Sequence, residues 1–455
     1  MAFILYDVET TGLNRRFDQI LQFAAIRTDA DLSETKRFET RSRLMPHVIP
    51  SPKALHVTGL SLDDVNSMSR QSHYTMVCEI ANMLATWCPA TFLGFNSIHF
   101  DEEFLRQAFY QCLHPVFLTN TNSNARADVL NLMRAAVTLH PSVIHPGVES
   151  DGRATYRLGA LATANGIEIG PGHDAAADVA AMLALCKRVQ EGAPALWSTF
   201  LRFSSKAAVV DLIHDQEAFA HFDFFGTPRV MHFLTNVGVS PNDGNIYCCL
   251  DLTCNIDELR KLDEAALSDR LKQEPRPIRR LRVNGSPLLY PLWDIDPSHF
   301  VDTTEETLTQ TASSVRSDDK LMSALTLAAA SIEPVYSLSE HVELQIYGGN
   351  FFSNSDLELC RQFHLRPWEI RPEIVSRFSD QRLRRLARRL IYLERPDLID
   401  QTDRQIIAAD ISARRRGDGK YASAPWTTIA QALLELETID AEVSTQFKQS
   451  FLELR

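Results

Sequence analysis

The stretch Ile4-Leu5-Tyr6-Asp7-Val8-Glu9-Thr10-Thr11-Gly12 decides how the chain is read. Ile4–Val8 is an apolar run of strand length that ends in acids and a turn signal. On a strand, residues i and i+2 project to one face, roughly 6.6–6.8 Å apart. Asp7 and Glu9 therefore aim two carboxylates at one spot, and Val8 faces the other way. Two anions held together repel unless a cation lies between them. A solvent-facing strand end with ordinary acids fits the same residues.

Outward from this strand, Leu21–Arg27 and Lys36–Leu44 read as two more strands, with turns near Gly12–Asp18 and Asp29–Glu34. Ser61–Val65 and Tyr74–Trp87 read as helices, Thr91–Phe95 as a short buried strand, and Asp101–Cys112 as the helix after it. Ala127–Leu139, Leu158–Asn165 and Asp174–Val189 complete the helical set. Three consecutive strands, then helices mixed with another strand, resemble a ribonuclease-H-like sheet spanning residues 1–190, so the expected class is α+β or α/β, multi-domain. Two further acidic signals lie on it. In Asn96-Ser97-Ile98-His99-Phe100-Asp101, the acid opens a helix, where a plain N-cap is the local alternative. In His173-Asp174-Ala175-Ala176-Ala177-Asp178, Asp178 is flanked by small apolar residues, which makes burial costly unless it is paired or bound to metal. An exposed face of an amphipathic helix is the alternative there. His173 falls in the loop entering that helix.

Residues about 195–300 hold short β-rich stretches between Pro and Gly turns (Phe222–Gly226, Arg229–Leu234, Asn245–Leu252 and Arg279–Val283), which suggests a small barrel or sandwich. Residues 301–320 are rich in Ser, Thr and Asp and read as a linker. From Leu321 helical periodicity dominates, clearest at Met322–Ile332, Ser379–Leu393 and Thr427–Glu437. The expected units are thus 1–190, 195–320 with its linker, and 321–455. Of the 455 residues, 45% are hydrophobic and 23% charged, which excludes a mostly disordered chain. No run of about 18 apolar residues offers a membrane span. The first residues lack a basic region and cleavage site, and the eight cysteines form no CxxC pair. Reduced thiols in a cytoplasmic protein are expected. A net charge of −12 argues against non-specific coating of nucleic acid, but leaves room for carboxylates gathered around metal.

The order DxExTG, NxxxFD, HxAxxD resembles the DEDDh exonuclease family. The resemblance implies that Asp7 bridges two Mg²⁺ ions (Mn²⁺ a possible substitute), that Glu9 and Asp178 bind one of them, and that Asp101 holds the other directly or through water. Hard ions of this kind select oxygen ligands. It also implies that His173 is the base that takes a proton from the attacking water, a task suited to an unperturbed pKa near 6.5. Oligoribonucleases, ribonuclease T and polymerase proofreading subunits share this core. The about 265 residues beyond it, β-rich and then helical, are similar in layout to the bacterial exonuclease I family, whose extra parts are an SH3-like domain and a helical C-terminal domain. Gln22–Asp29, Arg157-Leu158, Ala164–Glu168 and Gln345–Phe352 carry further likeness to it. Two departures stand out: the first motif lacks an aromatic before Gly12, and Gln345–Phe352 has an additional residue between its Tyr and its Phe pair.

The family resemblance implies Mg²⁺-dependent 3′→5′ hydrolysis of single-stranded DNA to 5′-mononucleotides in repair and recombination. It also implies that Arg157 and Glu9 contact substrate, that the protein is a monomer, and that single-stranded DNA-binding protein is a partner. An RNA-directed exoribonuclease and a catalytically silent binding module are the alternatives. Single strands are generally held by basic grooves and aromatic platforms. Residues 361–416 contain 14 arginines and 8 acids, and Arg276, Arg279, Arg280 and Arg282 form a second cluster. Solvated faces and ion pairs account for both equally well. Arg382, Arg384, Arg385, Arg388 and Arg389 are candidates for the partner's acidic tail by charge alone. Phe222, Phe224 and Phe225 read as core in preference to base-stacking residues.

Overall fold

The computed structural model describes residues 2–169, 174–223, 231–332, 339–439 and 441–454. His173, Phe224 and Phe225 lie outside them. The first sheet consists of β1 (Phe3–Thr10), β2 (Ile20–Thr28), β3 (Glu34–Arg41), β4 (Thr91–Gly94) and β5 (Ala125–Asp128), in the order β3-β2-β1-β4-β5. β1, β2 and β3 pair antiparallel, while β4 runs parallel to β1 and β5 parallel to β4. This is the ribonuclease-H-like sheet expected. β5 is the strand the sequence reading missed. Its four residues include Arg126, buried because its guanidinium meets the buried Glu102 at 2.9 Å.

Strand alternation divides β1 between two cores. Phe3 and Leu5 join one apolar cluster, and Ile4, Tyr6 and Val8 join the other. Helix α1 (His73–Trp87) and helix α2 (Asp101–Gln111) cover the second face. Helices α3 (Val129–Leu139), α4 (Leu158–Ala164) and α5 (Ala175–Gly192) cover the first. By the same period of two, Asp7 and Glu9 continue the Phe3–Leu5 face, toward α5.

Two helices, Pro194–Arg202 and Lys206–Asp215, come next, where the sequence reading expected the β-rich region to begin. Then comes an antiparallel sheet of β6 (Phe219–Phe222), β7 (Met231–Val239), β8 (Ile246–Asp251), β9 (Ile278–Arg282) and β10 (Leu288–Pro291), in the order β9-β8-β7-β6-β10. Phe222 is fully buried, as expected. Consecutive Cys248 and Cys249 on β8 enter different cores, which is what a strand does with neighbours. All eight cysteines are free thiols.

The linker reading of 301–320 is corrected. Helix α6 (Glu305–Arg316) lies there, capped by Thr304, and α7 (Asp319–Ser331) crosses the expected boundary at 321. Leu308, Ala312 and Val315 form a helical stripe in a polar sequence. Val315 packs with Leu321, Leu325 and Ala328 of α7 against Val237 and Leu250 of the second sheet. The remaining helices include α8 (Asn354–Leu365), α9 (Gln381–Glu394), α10 (Gln401–Arg416) and α11 (Ile429–Leu436). Of these, α8 and α9 share the α1–α2 core through Phe363, Leu386 and Leu390. Ile429 and Leu436 pack with Leu21, Leu55 and Val65 of the first unit. Among the described residues no helix is long and apolar enough to cross a membrane.

The basic clusters are largely absorbed by the fold. Arg389 and Arg414 meet the buried Glu343 at 2.6 and 2.8 Å, Arg382 meets Asp380 at 2.7 Å, and Arg388 pairs with Asp403. Arg384 donates to the carbonyl of Phe378 at 2.5 Å and Arg385 to that of Glu340 at 3.2 Å. In the second sheet Arg282 pairs with Asp243 at 3.1 Å, Arg276 pairs with Glu274 at 2.9 Å, and Arg279 is buried 3.8 Å from Asp251.

Candidate active site

Asp7, Glu9 and Asp178 converge: each offers a carboxylate oxygen, and these oxygens all lie within 4.8 Å of one another. Two come from β1 and the third from the first turn of α5. Burial is the main reason that Asp7 is pushed well above the usual carboxylate range, with Asp101, Asp178 and Glu9 adding repulsion. Burial likewise raises Glu9 to about 8, helped by Asp178 and Asp101 and opposed by Arg41. Three half-buried carboxylates at this spacing repel one another and form a donor set for a hard divalent ion.

Asp101 is buried, but it is not the helix cap that its position suggests. Phe100 occupies the cap position, and Asp101 Oδ1 accepts a hydrogen bond from the Val8 N–H at 3.2 Å. That bond ties it to β1 between Asp7 and Glu9 while leaving it outside the group of three. Burial raises its pKa to about 7 against the pull of backbone hydrogen bonds. Asp128 holds the preceding loop, accepting from the N–H groups of Asn96 at 2.8 Å and Leu130 at 3.0 Å.

The Thr-Thr-Gly that follows Glu9 is fixed by Asp18. Thr11 Oγ1 donates to Asp18 Oδ1 at 3.1 Å, and Asn14 N–H donates to Oδ2 at 2.7 Å. A Cβ on Gly12 would lie 2.4 Å from Asp18 Oδ2. Glycine is therefore needed here for close approach.

Sequence reasoning missed Asp174, Gln22 and Arg41. Asp174 caps α5, with Oδ1 accepting from the N–H groups of Ala176 and Ala177 at 3.1 and 3.2 Å. Its Oδ2 accepts from Gln22 Nε2 at 3.0 Å and from Arg41 at 2.7 Å. Burial alone would raise Asp174; these hydrogen bonds and the Arg41 charge outweigh it and hold the carboxyl below its ordinary value. The signal in the sequence was Asp174 at a cap position before an alanine run. Arg41 and Gln22 are brought near only by strand register, Gln22 lying opposite both Glu9 and Arg41.

Arg157 is the residue before α4. Its side chain is 79% exposed and within 3.5 Å of Glu149. His173, expected as the base, lies outside the described residues, immediately before Asp174. A cleft of about 770 Å³ opens beside Glu9, lined by Leu13, Asn14, Lys53, Phe100 and Trp426 among others. It lies between the first unit and the C-terminal helices and is large enough for a ligand of nucleotide size. Leu13 projects at its edge, 82% exposed.

Residues 4–186, which carry this sheet and the acids clustered on its central strand, match the Exonuclease family RNase_T. Exodeoxyribonuclease I of Haemophilus influenzae is 29% identical over 420 residues, 84% of each chain. The structure of E. coli Exonuclease I in complex with a dA16 oligonucleotide superposes with a TM-score of 0.88 at 23% identity, covering all of both chains. A structure of SSB/Exonuclease I with the inhibitor CFAM matches with a TM-score of 0.84 at 22% identity, covering 100% of this chain and 99% of that one. These two solved structures establish the common fold. The chain is a nuclease with an exonuclease domain. Over most of its length it is similar to exodeoxyribonuclease I.

Proposed function

We propose that the protein hydrolyses single-stranded DNA from the 3′ end and releases 5′-mononucleotides. The convergence of Asp7, Glu9 and Asp178 within 4.8 Å beside a nucleotide-sized cleft carries this reading; the relatives' name, exodeoxyribonuclease I, supports DNA as the substrate, and the direction is what the DEDDh resemblance implies. Asp7, Glu9 and Asp178 would hold divalent cations, with Asp101 completing the set from the start of α2. Mg²⁺ is the expected ion and Mn²⁺ a substitute. Such ions supply charge neutralisation at the entering and leaving oxygens of the phosphodiester.

The remaining steps belong to side chains. An imidazole nitrogen of His173 accepts the proton of the attacking water, and Asp174, anchored by Gln22 and Arg41, fixes the chain just after it. Arg157, exposed and loosely paired, is free to give a charge-assisted hydrogen bond to a phosphate. Glu9, at the cleft wall, would contact the terminal nucleotide. We further propose a cytoplasmic monomer acting in repair and recombination, with single-stranded DNA-binding protein as a partner. The SSB/Exonuclease I structure supports the last of these.

The test is a time course on end-labelled single-stranded DNA, with duplex and RNA controls, in Mg²⁺ and in EDTA. The reading expects mononucleotides to leave the 3′ end of the DNA strand in Mg²⁺ only. Preference for RNA, or release insensitive to EDTA, overturns it.

A further inference from the structure

Among the described residues a second group of three metal-capable donors lies away from the carboxylates: Cys78, His114 and His364, each half-buried. They come from separate segments. Cys78 is on α1, His114 follows α2, and His364 is at the end of α8. The proposed nuclease chemistry uses none of them, yet they bring together the first unit and the C-terminal helices.

The spacing suits a cation. Cys78 Sγ lies 3.4 Å from His114 Nε2 and 3.9 Å from His364 Nδ1. A tetrahedral centre with Zn–S about 2.3 Å and Zn–N about 2.0–2.1 Å sets sulfur and nitrogen about 3.6 Å apart. The orientation of His364 is fixed from behind. Its Nε2 lies 3.2 Å from the Leu113 carbonyl, which can only accept, so Nε2 carries the proton and Nδ1 presents its lone pair to the group. Tyr74, whose oxygen accepts from Arg371 at 2.8 Å, donates to that same Nδ1 at 3.0 Å, a hydrogen bond that a bound cation would displace.

We propose that Cys78, His114 and His364 form a second metal site, for a borderline-soft divalent cation of the Zn²⁺ class, joining the exonuclease core to the C-terminal helices. The donor set of one thiol and two imidazoles selects against Mg²⁺. Burial keeps both imidazoles neutral, His114 at about 3 and His364 at about 4, so both have the lone pair a metal needs. Burial also raises the Cys78 thiol to about 11, and a bound cation releases that proton. The two rings are stacked, centroids 3.9 Å apart and planes 12° from parallel. Capture of an ion turns the His114 ring about its Cβ–Cγ bond, out of the stack, until its lone pair meets the ion beside that of the held His364. Stacked neutral rings that only pack are the competing explanation.

The experiment uses full-length protein stripped of metal, then given one equivalent of Zn²⁺ in excess Mg²⁺, so that Mg²⁺ occupies oxygen ligands. X-ray absorption at the zinc edge is expected to show one sulfur at about 2.3 Å with nitrogen or oxygen at about 2.0 Å. Cys78→Ser is expected to weaken Zn²⁺ binding at least about tenfold while leaving Mg²⁺-dependent nuclease activity unchanged. A zinc shell without sulfur, or equal affinity in Cys78→Ser, overturns the proposal. Should Cys78→Ser fail to fold, the wild-type sulfur shell still decides, and His114→Gln supplies the affinity comparison.

Discussion

Replacing Glu9 by Gln should stabilise the metal-free protein even as it removes activity. In the fold Glu9 titrates at about 8 against an ordinary 4.5, so the ionised carboxylate is disfavoured there relative to the unfolded chain. Below the unfolded value both states are protonated and nothing is lost. As pH rises, the unfolded chain ionises first, and the fold loses stability until its own carboxyl ionises. At pH 7 the loss amounts to about 3 kcal/mol, less whatever solvent and relaxation of Asp7 return. Glutamine removes that loss without changing side-chain size. Urea unfolding in EDTA, followed by tryptophan fluorescence at pH 5 and pH 7, is the assay. Glu9→Gln should gain on the order of 1–3 kcal/mol at pH 7 and much less at pH 5. In Mg²⁺ at a hundredfold excess over Kd the gain should shrink by up to about 2.7 kcal/mol, because bound ion stabilises the wild type by that amount. A variant less stable than wild type in EDTA at pH 7, or a gain independent of pH, would refute the reasoning.

Three other substitutions test separate parts of the site. Gly12→Ala forces its Cβ to within 2.4 Å of Asp18 Oδ2; steady-state kinetics should show a lower kcat, and thermal melting a loss of about 1–3 kcal/mol. Asp174→Ala removes the cap of α5 and the ligand of Arg41 and Gln22. It should cost about 1 kcal/mol by urea unfolding and lower kcat more than it raises KM. Glu343, buried between Arg389 and Arg414, is held far below the carboxylate range despite its burial. Its contribution is therefore present above its unfolded value and is lost as pH falls through the acid range. Glu343→Ala should cost about 3–5 kcal/mol at neutral pH and flatten the acid limb of a stability–pH curve.

What the sequence made legible were features with short-range causes. The alternation along Ile4–Val8 assigned Asp7 and Glu9 to one face, and the structure brings them together with Asp178. The small residues around Asp178 marked a helix that packs closely on the sheet. Features set by distant partners were not legible. Asp101 looked like a cap, but its acceptor role toward Val8 spans 93 residues of chain. Arg41 reaches Asp174 across 133 residues, a contact that no local pattern announces. The linker was misread because the apolar stripe Leu308–Ala312–Val315 is thin within a polar helix. The arginines of 361–416 left both readings open, and many of them turn inward to Glu343, Asp380 and backbone carbonyls.

The most direct test of the central claim is anomalous diffraction at the manganese edge from crystals of the protein soaked in Mn²⁺. The account predicts anomalous density bounded by the carboxylates of Asp7, Glu9 and Asp178. Manganese bound elsewhere, with those oxygens apart and no density between them, would contradict it.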